Sequence, residues 1–213
     1  MALDSNFPVG PREWGKLEVK QTRDRLDIGK FQVMQDWEFP LMRAMAAKVT
    51  QDGGQILEVG FGMGISATQI IESGCDSYTV IEAHPDIAAS AREWATHQPV
   101  PVFVHEGYAQ DVARVLENRF DGILFDAYPN SQKEWQTFHV NFFRVANKLL
   151  KPGGIFTYFA GQSMQFSHVH LEALFDVFDS VRLYRVNGLN PPEDCDYWKL
   201  DYMVLASARS SAD

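Results

Sequence analysis

Between positions 58 and 64 the chain reads Glu-Val-Gly-Phe-Gly-Met-Gly, with glycines at Gly60, Gly62 and Gly64. Glycines at alternate positions let a backbone turn tightly and approach a ligand where any Cβ would clash. A helix beginning just after such a loop adds its own unpaired N–H donors. Glu82 lies 24 residues beyond Glu58, near the spacing at which dinucleotide folds place an acid on ribose hydroxyls. A carboxylate suits that task because it accepts from two adjacent hydroxyls at once. Read without a ligand, Glu82 is a solvated residue at a strand end. Glu58 either meets a ligand's ammonium or braces the glycine loop. A third acid, Asp126, closes the run Phe-Asp-Gly-Ile-Leu-Phe-Asp and stands next to Ala127, Tyr128 and Pro129; its plain alternative use is as a helix cap.

These acids need rigid elements to hold them, and the pattern supplies alternating ones. Short apolar or β-branched runs predict strands at 55–60, 77–83, 100–105, 121–127, 155–160, 181–186 and 198–206. Helical patterns fall at 36–49, 62–73, 85–97, 111–117, 132–150 and 167–178. In the first of these, Leu41, Met45 and Val49 recur every four residues as one apolar face, and Pro40 fits only a first turn. Lys151-Pro152-Gly153-Gly154 reads as the stop after the long helix. Repeated β-α units with buried strands predict an α/β fold with a seven-stranded, mostly parallel sheet covered on both faces. Ligands then bind outside the carboxyl ends of the strands, at the switch point. Glu58, Glu82 and Asp126 all fall at such ends, and Gly107 to Gln110 follow the third strand, where adenine is contacted in this fold class. Residues 1–35, with scattered Pro and Gly and no periodicity, are expected to be an N-terminal arm or lid on a domain spanning 36–213.

Composition narrows the chemistry. Of 213 residues, 19 are Lys or Arg and 28 are Asp or Glu, a net charge of −9. Such a surface repels phosphate backbones and attracts small cations, so nucleic acid is excluded as the expected partner. No run approaches the roughly 18 apolar residues of a membrane span, and the first residues do not resemble a signal peptide. Two distant cysteines, Cys75 and Cys195, read as reduced thiols of a cytoplasmic protein. His168 and His170 share a face only on a strand, and no third ligand accompanies them, so no metal is expected.

A nicotinamide loop requires G-x-G-x-x-G, but its third glycine would fall at Ile65. G-x-G-x-G is instead the pattern of S-adenosylmethionine (SAM) methyltransferases. From Trp14 to Tyr202 the chain resembles the guanidinoacetate N-methyltransferase family. The blocks VMQDWEFPLM (33–42), LEVGFGMG (57–64), IEAHPD (81–86), FDGILFDAYP (120–129), LLKPGGIFTY (149–158) and NPPEDCDYW (190–198) carry the resemblance. It implies a Rossmann-like class I methyltransferase fold and SAM as cofactor. SAM contacts are then implied for Trp14, closing over the site, and for Met34, Glu58, Gly60, Phe61, Gly62, Met63, Gly64, Glu82, Ala83, Ala109, Gln110 and Asp126. Acceptor contacts are implied for Glu38, Asp126, Tyr128, Gly161 and Gln162, with Glu38 and Asp126 gripping a guanidino group. Two departures bear on the acceptor and the adenine pocket. Ala109-Gln110 replaces the family's Trp-Glu, and Phe159 to Met164 differs from the stretch that contacts the acceptor's carboxylate.

The implied chemistry is N-methylation of a small guanidino compound, as guanidinoacetate becomes creatine. Free arginine or another guanidino acid is an alternative acceptor. Protein arginine ranks behind them, because the usual paired-glutamate loop is not apparent and no ankyrin-type repeats precede the domain. Asp126 is the expected proton acceptor, since a strand end is rigid, and Glu38 the orienting anchor. Glu38 is otherwise a first-turn acid favoured by the helix dipole. Trp14, Trp37 and Tyr128 are candidates for cation–π contact, with core packing the alternative for Trp37. A nicotinamide oxidoreductase and a catalytically dead SAM-binding protein are the rival classes. A homodimer stays open.

Overall fold

A computed structural model describes residues 11–117, 119–128, 137–160 and 167–212. After a short helical turn α1 (Pro11–Trp14), strands β1 (Val19–Gln21), β2 (Arg25–Ile28) and β3 (Phe31–Gln35) form a three-stranded antiparallel sheet. Strands thus occupy a stretch in which the sequence showed no periodicity. Leu26, Ile28 and Met34 are buried there, and the mixed charge that hid the strands lies on the exposed side. Three residues of 3₁₀ helix (Asp36–Glu38) lead into α2 (Phe39–Val49), with Pro40 in its first turn.

The remaining elements alternate: β4 (Gln55–Val59), α3 (Ile65–Ser73), β5 (Ser77–Glu82), α4 (Pro85–Ala95), β6 (Val102–Glu106), α5 (Ala109–Val112), β7 (Phe120–Phe125), α6 (Phe138–Leu149), β8 (Leu150–Tyr158), α7 (His168–Val177), β9 (Ser180–Asn187) and β10 (Tyr202–Arg209). Their sheet has the order β6-β5-β4-β7-β8-β10-β9. The strands from β6 to β8 pair in parallel, and β10 lies antiparallel to both β8 and β9. The expected α/β architecture with seven mostly parallel strands is what the chain adopts. The long helix α6 does end at Leu149, directly before Lys151 to Gly154, and those residues also begin β8, whose start is irregular against β7. His168 and His170 fall on α7 rather than a strand: His170 is buried and His168 exposed.

Two apolar layers flank the sheet. Leu41, Met45 and Val49 of α2 pack on one face with Ile56, Val80 and Leu124; Phe142 and Phe143 of α6 pack on the other with Leu57, Ile81 and Ile123. Alternation along β4 therefore turns Glu58 to the same face as Ile56, toward α2. That face is unusually tight where α2 crosses β7. A Cβ on Gly122 would come within 2.1 Å of the Val49 carbonyl oxygen, so glycine sets how closely α2 lies on the strand that leads into Asp126. The switch point between β4 and β7 opens on the same side as their carboxyl ends.

Candidate active site

The glycine loop is built from backbone contacts among three strand ends. Gly60, at φ +90°, donates its N–H to the Ile81 carbonyl at 2.9 Å, and Asp126 donates to the Val59 carbonyl at 2.9 Å. A Cβ at Gly60 would sit 2.1 Å from the Asp126 carbonyl oxygen, so loop and acid tip pack backbone to backbone. Met34 of β3 lies buried beneath the turn. Its sulfur accepts the Met63 N–H at 3.3 Å and would lie 2.9 Å from a Cβ on Gly62. Gly64, at φ +73°, starts α3. The N-terminal sheet thus supports the loop directly.

Glu82 sits at the tip of β5 with both oxygens engaged: Oε2 accepts the Phe61 N–H and Oε1 the His84 N–H, each at 2.8 Å. Every carboxylate oxygen has a second lone pair, so the side chain that clamps the loop can still accept from two ligand hydroxyls. Burial nevertheless pushes its pKa up, against the backbone N–H groups of His84, Phe61 and Gly62 that favour the anion. Glu58 is fully buried and accepts the Tyr78 hydroxyl on Oε2. Burial pushes it up to about 8; the Ser66 and Tyr78 hydroxyls oppose this, and the charges of Asp126 and Glu82 add to it. Those contacts fit bracing the loop as well as they fit meeting an ammonium.

Glu38 and Asp126, 88 residues apart in sequence, are brought together from two elements. Glu38 is 3% exposed in the 3₁₀ turn, and its Oε1 accepts both the Gln35 N–H at 2.8 Å and the Tyr197 hydroxyl at 2.6 Å. Its pKa is raised first by burial and then by the charge on Asp126. Asp126 is raised by burial and by Glu82. Glu38 and Glu58 therefore each resist ionising while Asp126 is charged, and Asp126 does so while Glu82 is charged. A cation bound between Glu38 and Asp126 favours the charged form of both. This donor set, with the glycine loop beside it, fits a ligand carrying sulfonium and ammonium charges and a ribose.

The other candidates divide clearly. Trp14 packs edge-on against His84 at 6.0 Å and tilted against Phe31 at 6.1 Å, and Gly15 lies against Pro85. The arm is thereby docked over the Glu82-Ala83-His84 turn, where His84 Nε2 also meets the Leu17 carbonyl at 3.1 Å. Ala83 is half-buried there. Ala109 is buried and Gln110 exposed at the start of α5, which follows Gly107, whose N–H donates to the Glu82 carbonyl at 2.8 Å. Tyr128 is 37% exposed, its ring 5.8 Å from Phe159, and its hydroxyl is raised by burial and by the charges of Asp126 and Glu38. Trp37 is buried against Tyr197 at 5.7 Å, the packing role. Gly161 and Gln162 lie outside the described residues. Sequence reasoning missed Tyr197, although it stood within the block 190–198, because 159 residues separate it from the acid it meets.

Comparison with known proteins sets this geometry in context. A family model described as guanidinoacetate N-methyltransferase matches residues 12–209. Protein arginine N-methyltransferase 2 of Eremothecium gossypii is 34% identical over 199 residues, covering 90% of this chain and 44% of that protein. The protein of the same name from Aspergillus fumigatus is 29% identical, covering 84% and 46%. The chain thus spans less than half the length of these relatives. Among solved structures, spermidine synthase from Thermotoga maritima has a TM-score of 0.67 at 13% identity, over 92% of this chain and 73% of that one. The O-methyltransferase TomG from Streptomyces achromogenes, solved with SAM, has a TM-score of 0.60 at 19% identity, over 84% and 81%. These last two share the fold.

Proposed function

The chain belongs to the guanidinoacetate N-methyltransferase family, and from that premise we propose that it methylates a guanidino nitrogen of a small molecule with S-adenosylmethionine as donor. The observation that carries this reading is the pair of buried acids, Glu38 fixed by the Gln35 N–H and the Tyr197 hydroxyl and Asp126 packed against the glycine loop. Bound SAM supplies an electrophilic methyl on a sulfonium. Glu82 is suited to its ribose hydroxyls, residues 60–64 to its amino-acid end, Glu58 and Met34 to bracing that loop, and Trp14 to covering it.

Guanidinium has a pKa of about 12.5–13.8, so roughly one molecule in a million is neutral at pH 7, a cost near 8 kcal/mol if neutralisation had to come first. Two carboxylates avoid that cost. They bind the cation through paired N–H···O bonds, orient one nitrogen, and take its proton as its lone pair is committed. Asp126, on a rigid strand end, is the proton acceptor. Its raised pKa brings it closer to the nitrogen's falling one, which is what a general base needs. Glu38 is the orienting anchor.

A second reading, methylation of arginine in a protein, is favoured by the names of the relatives just given. Incubation with methyl-labelled SAM and guanidinoacetate, arginine, guanidinobutyrate or an arginine peptide separates the two. Label on a small guanidino acid supports the first reading. Label on the peptide alone replaces it with the second, and label on none removes both.

A further inference from the structure

A buried carboxylate can hold a cation only if it is charged and turned the right way, and burial opposes the first condition. Glu38 has two donors that answer both. The Gln35 N–H and the Tyr197 hydroxyl converge on the same oxygen, Oε1, at 2.8 and 2.6 Å. Two bonds on one oxygen fix the rotation of the carboxylate and leave Oε2 as the oxygen they do not engage. Both donors also favour the anion over the acid.

Tyr197 is itself held by design of the surrounding chain. It lies in the 188–201 connection between β9 and β10, far in sequence from the N-terminal sheet. Gln32 of β3 pins that connection twice: its Nε2 donates to the Asp194 carbonyl at 2.7 Å, and its Oε1 accepts the Asp196 N–H at 2.8 Å. These bonds grip the backbone on either side of Cys195, directly before Tyr197. Arg25 Nη1 adds an ion pair to Asp194 at 2.7 Å, exposed and so of small energetic weight. The ring of Tyr197 rests against Trp37, the neighbour of Glu38. The titratable groups facing Glu38 are Asp126 from the end of β7, Tyr128 beyond it, and Cys195 and Tyr197 from the connection.

We propose that Tyr197 is a positioning residue for methyl transfer: its hydroxyl, set by the Gln32 clamp, favours the charged form of Glu38 against burial and fixes its rotation so that the second carboxylate oxygen meets the acceptor's guanidinium. The assignment rests on the guanidino reading above and extends it, making the 190–198 segment part of the acceptor site. A protonated Glu38 turns an acceptor oxygen into a donor, which faces guanidinium N–H groups unproductively. The hydroxyl therefore sets the pH above which the acid pair can bind a cation.

The test is a titration of protein labelled with ¹³Cδ-glutamate, Glu38 being assigned by the signal lost in Glu38→Gln. In Tyr197→Phe, which keeps the ring against Trp37, the Glu38 midpoint rises by about one pH unit, as expected for loss of one hydrogen bond to the charged form. The acidic limb of kcat/KM for the acceptor moves by the same amount, while S-adenosylhomocysteine binds within about twofold of wild type. An unmoved Glu38 midpoint in folded Tyr197→Phe overturns the proposal. Should that variant not fold, the decision falls to Gln32→Ala, whose midpoint moves upward if the clamp acts through Tyr197 and stays put if it does not. The titration needs no acceptor, so it reports on Tyr197 even if wild type methylates no guanidino compound, the separate result that would defeat the functional reading.

Discussion

At the scale of single residues, burial opposes ionisation of the very acids that are to hold a cation. Glu38, Glu58, Glu82 and Asp126 are all raised, each with burial as the first cause. Binding a guanidinium between Glu38 and Asp126, raised to about 8 and about 7, must lower these two and expel protons. Calorimetry of a guanidino acceptor at pH 7, with the S-adenosylhomocysteine complex, should therefore give a heat that depends on the buffer's ionisation enthalpy, and an affinity that rises with pH. Heat independent of buffer contradicts the coupling. Glu82 has two jobs, clamping the loop through the Phe61 and His84 N–H groups and accepting ribose hydroxyls. Hydrogen bonds to a charged group are worth about 1.5–3 kcal/mol each, so Glu82→Ala should weaken SAM by about tenfold or more. An unaltered dissociation constant removes Glu82 from the cofactor site.

Elements convert distant positions into neighbours, and here α2 and β7, which lie against each other at Val49 and Gly122, carry one acid each. Glu38 immediately precedes α2 and Asp126 immediately follows β7. A Cβ at Gly122 would strike the Val49 carbonyl at 2.1 Å, so Gly122→Ala must push the helix off the strand. Overpacking of this kind costs about 1–3 kcal/mol. The expected result is a lower melting temperature and a raised acceptor KM, with SAM affinity nearly retained; a variant that loses only stability separates the two effects wrongly predicted as one. What the sequence made legible follows the same logic. Strands β4, β5 and β7 could be read because apolar runs end at acids, and the acids then fall at the carboxyl ends by construction. The N-terminal sheet could not, since β1 to β3 are short, charged and held by partners elsewhere: Gln32 by 194–196, Met34 by the glycine loop. Tyr197 was illegible for the same reason. Pro152 and Gly153 marked the end of α6 correctly but hid the early start of β8, which runs irregularly through them from Leu150.

For the molecule as a whole, an interior holding this many acids gives stability a distinctive pH dependence. A group whose folded pKa lies above its unfolded one stabilises fully below the unfolded value, and that stability is lost as pH rises through the folded value. Glu58, moved from 4.5 to about 8, thus makes the free protein less stable as pH climbs across that window. His139 acts oppositely: burial and the neighbouring His170 lower it to about 3, so its contribution is complete above about 6.5 and falls away in acid, by about 2 kcal/mol at pH 5. Melting temperature should therefore peak in mildly acidic solution and decline on both sides, with a bound cationic ligand shrinking the alkaline decline only. A flat alkaline side contradicts the raised folded-state pKa of these buried acids. The net charge of −9 reinforces the attraction for cations at longer range.

Asp126→Asn examines the centre of the account most directly, because the amide keeps the shape of the side chain and removes the charge and the proton acceptor. Turnover and SAM dissociation constant are measured on the same preparation. Loss of a positioned acid–base group costs about 10²–10⁴-fold in rate. The predicted result is a turnover reduced by at least about a hundredfold, with SAM still binding within severalfold of wild type. Turnover equal to wild type, at any pH between 6 and 9, means that the acid at the end of β7 neither grips nor deprotonates the acceptor.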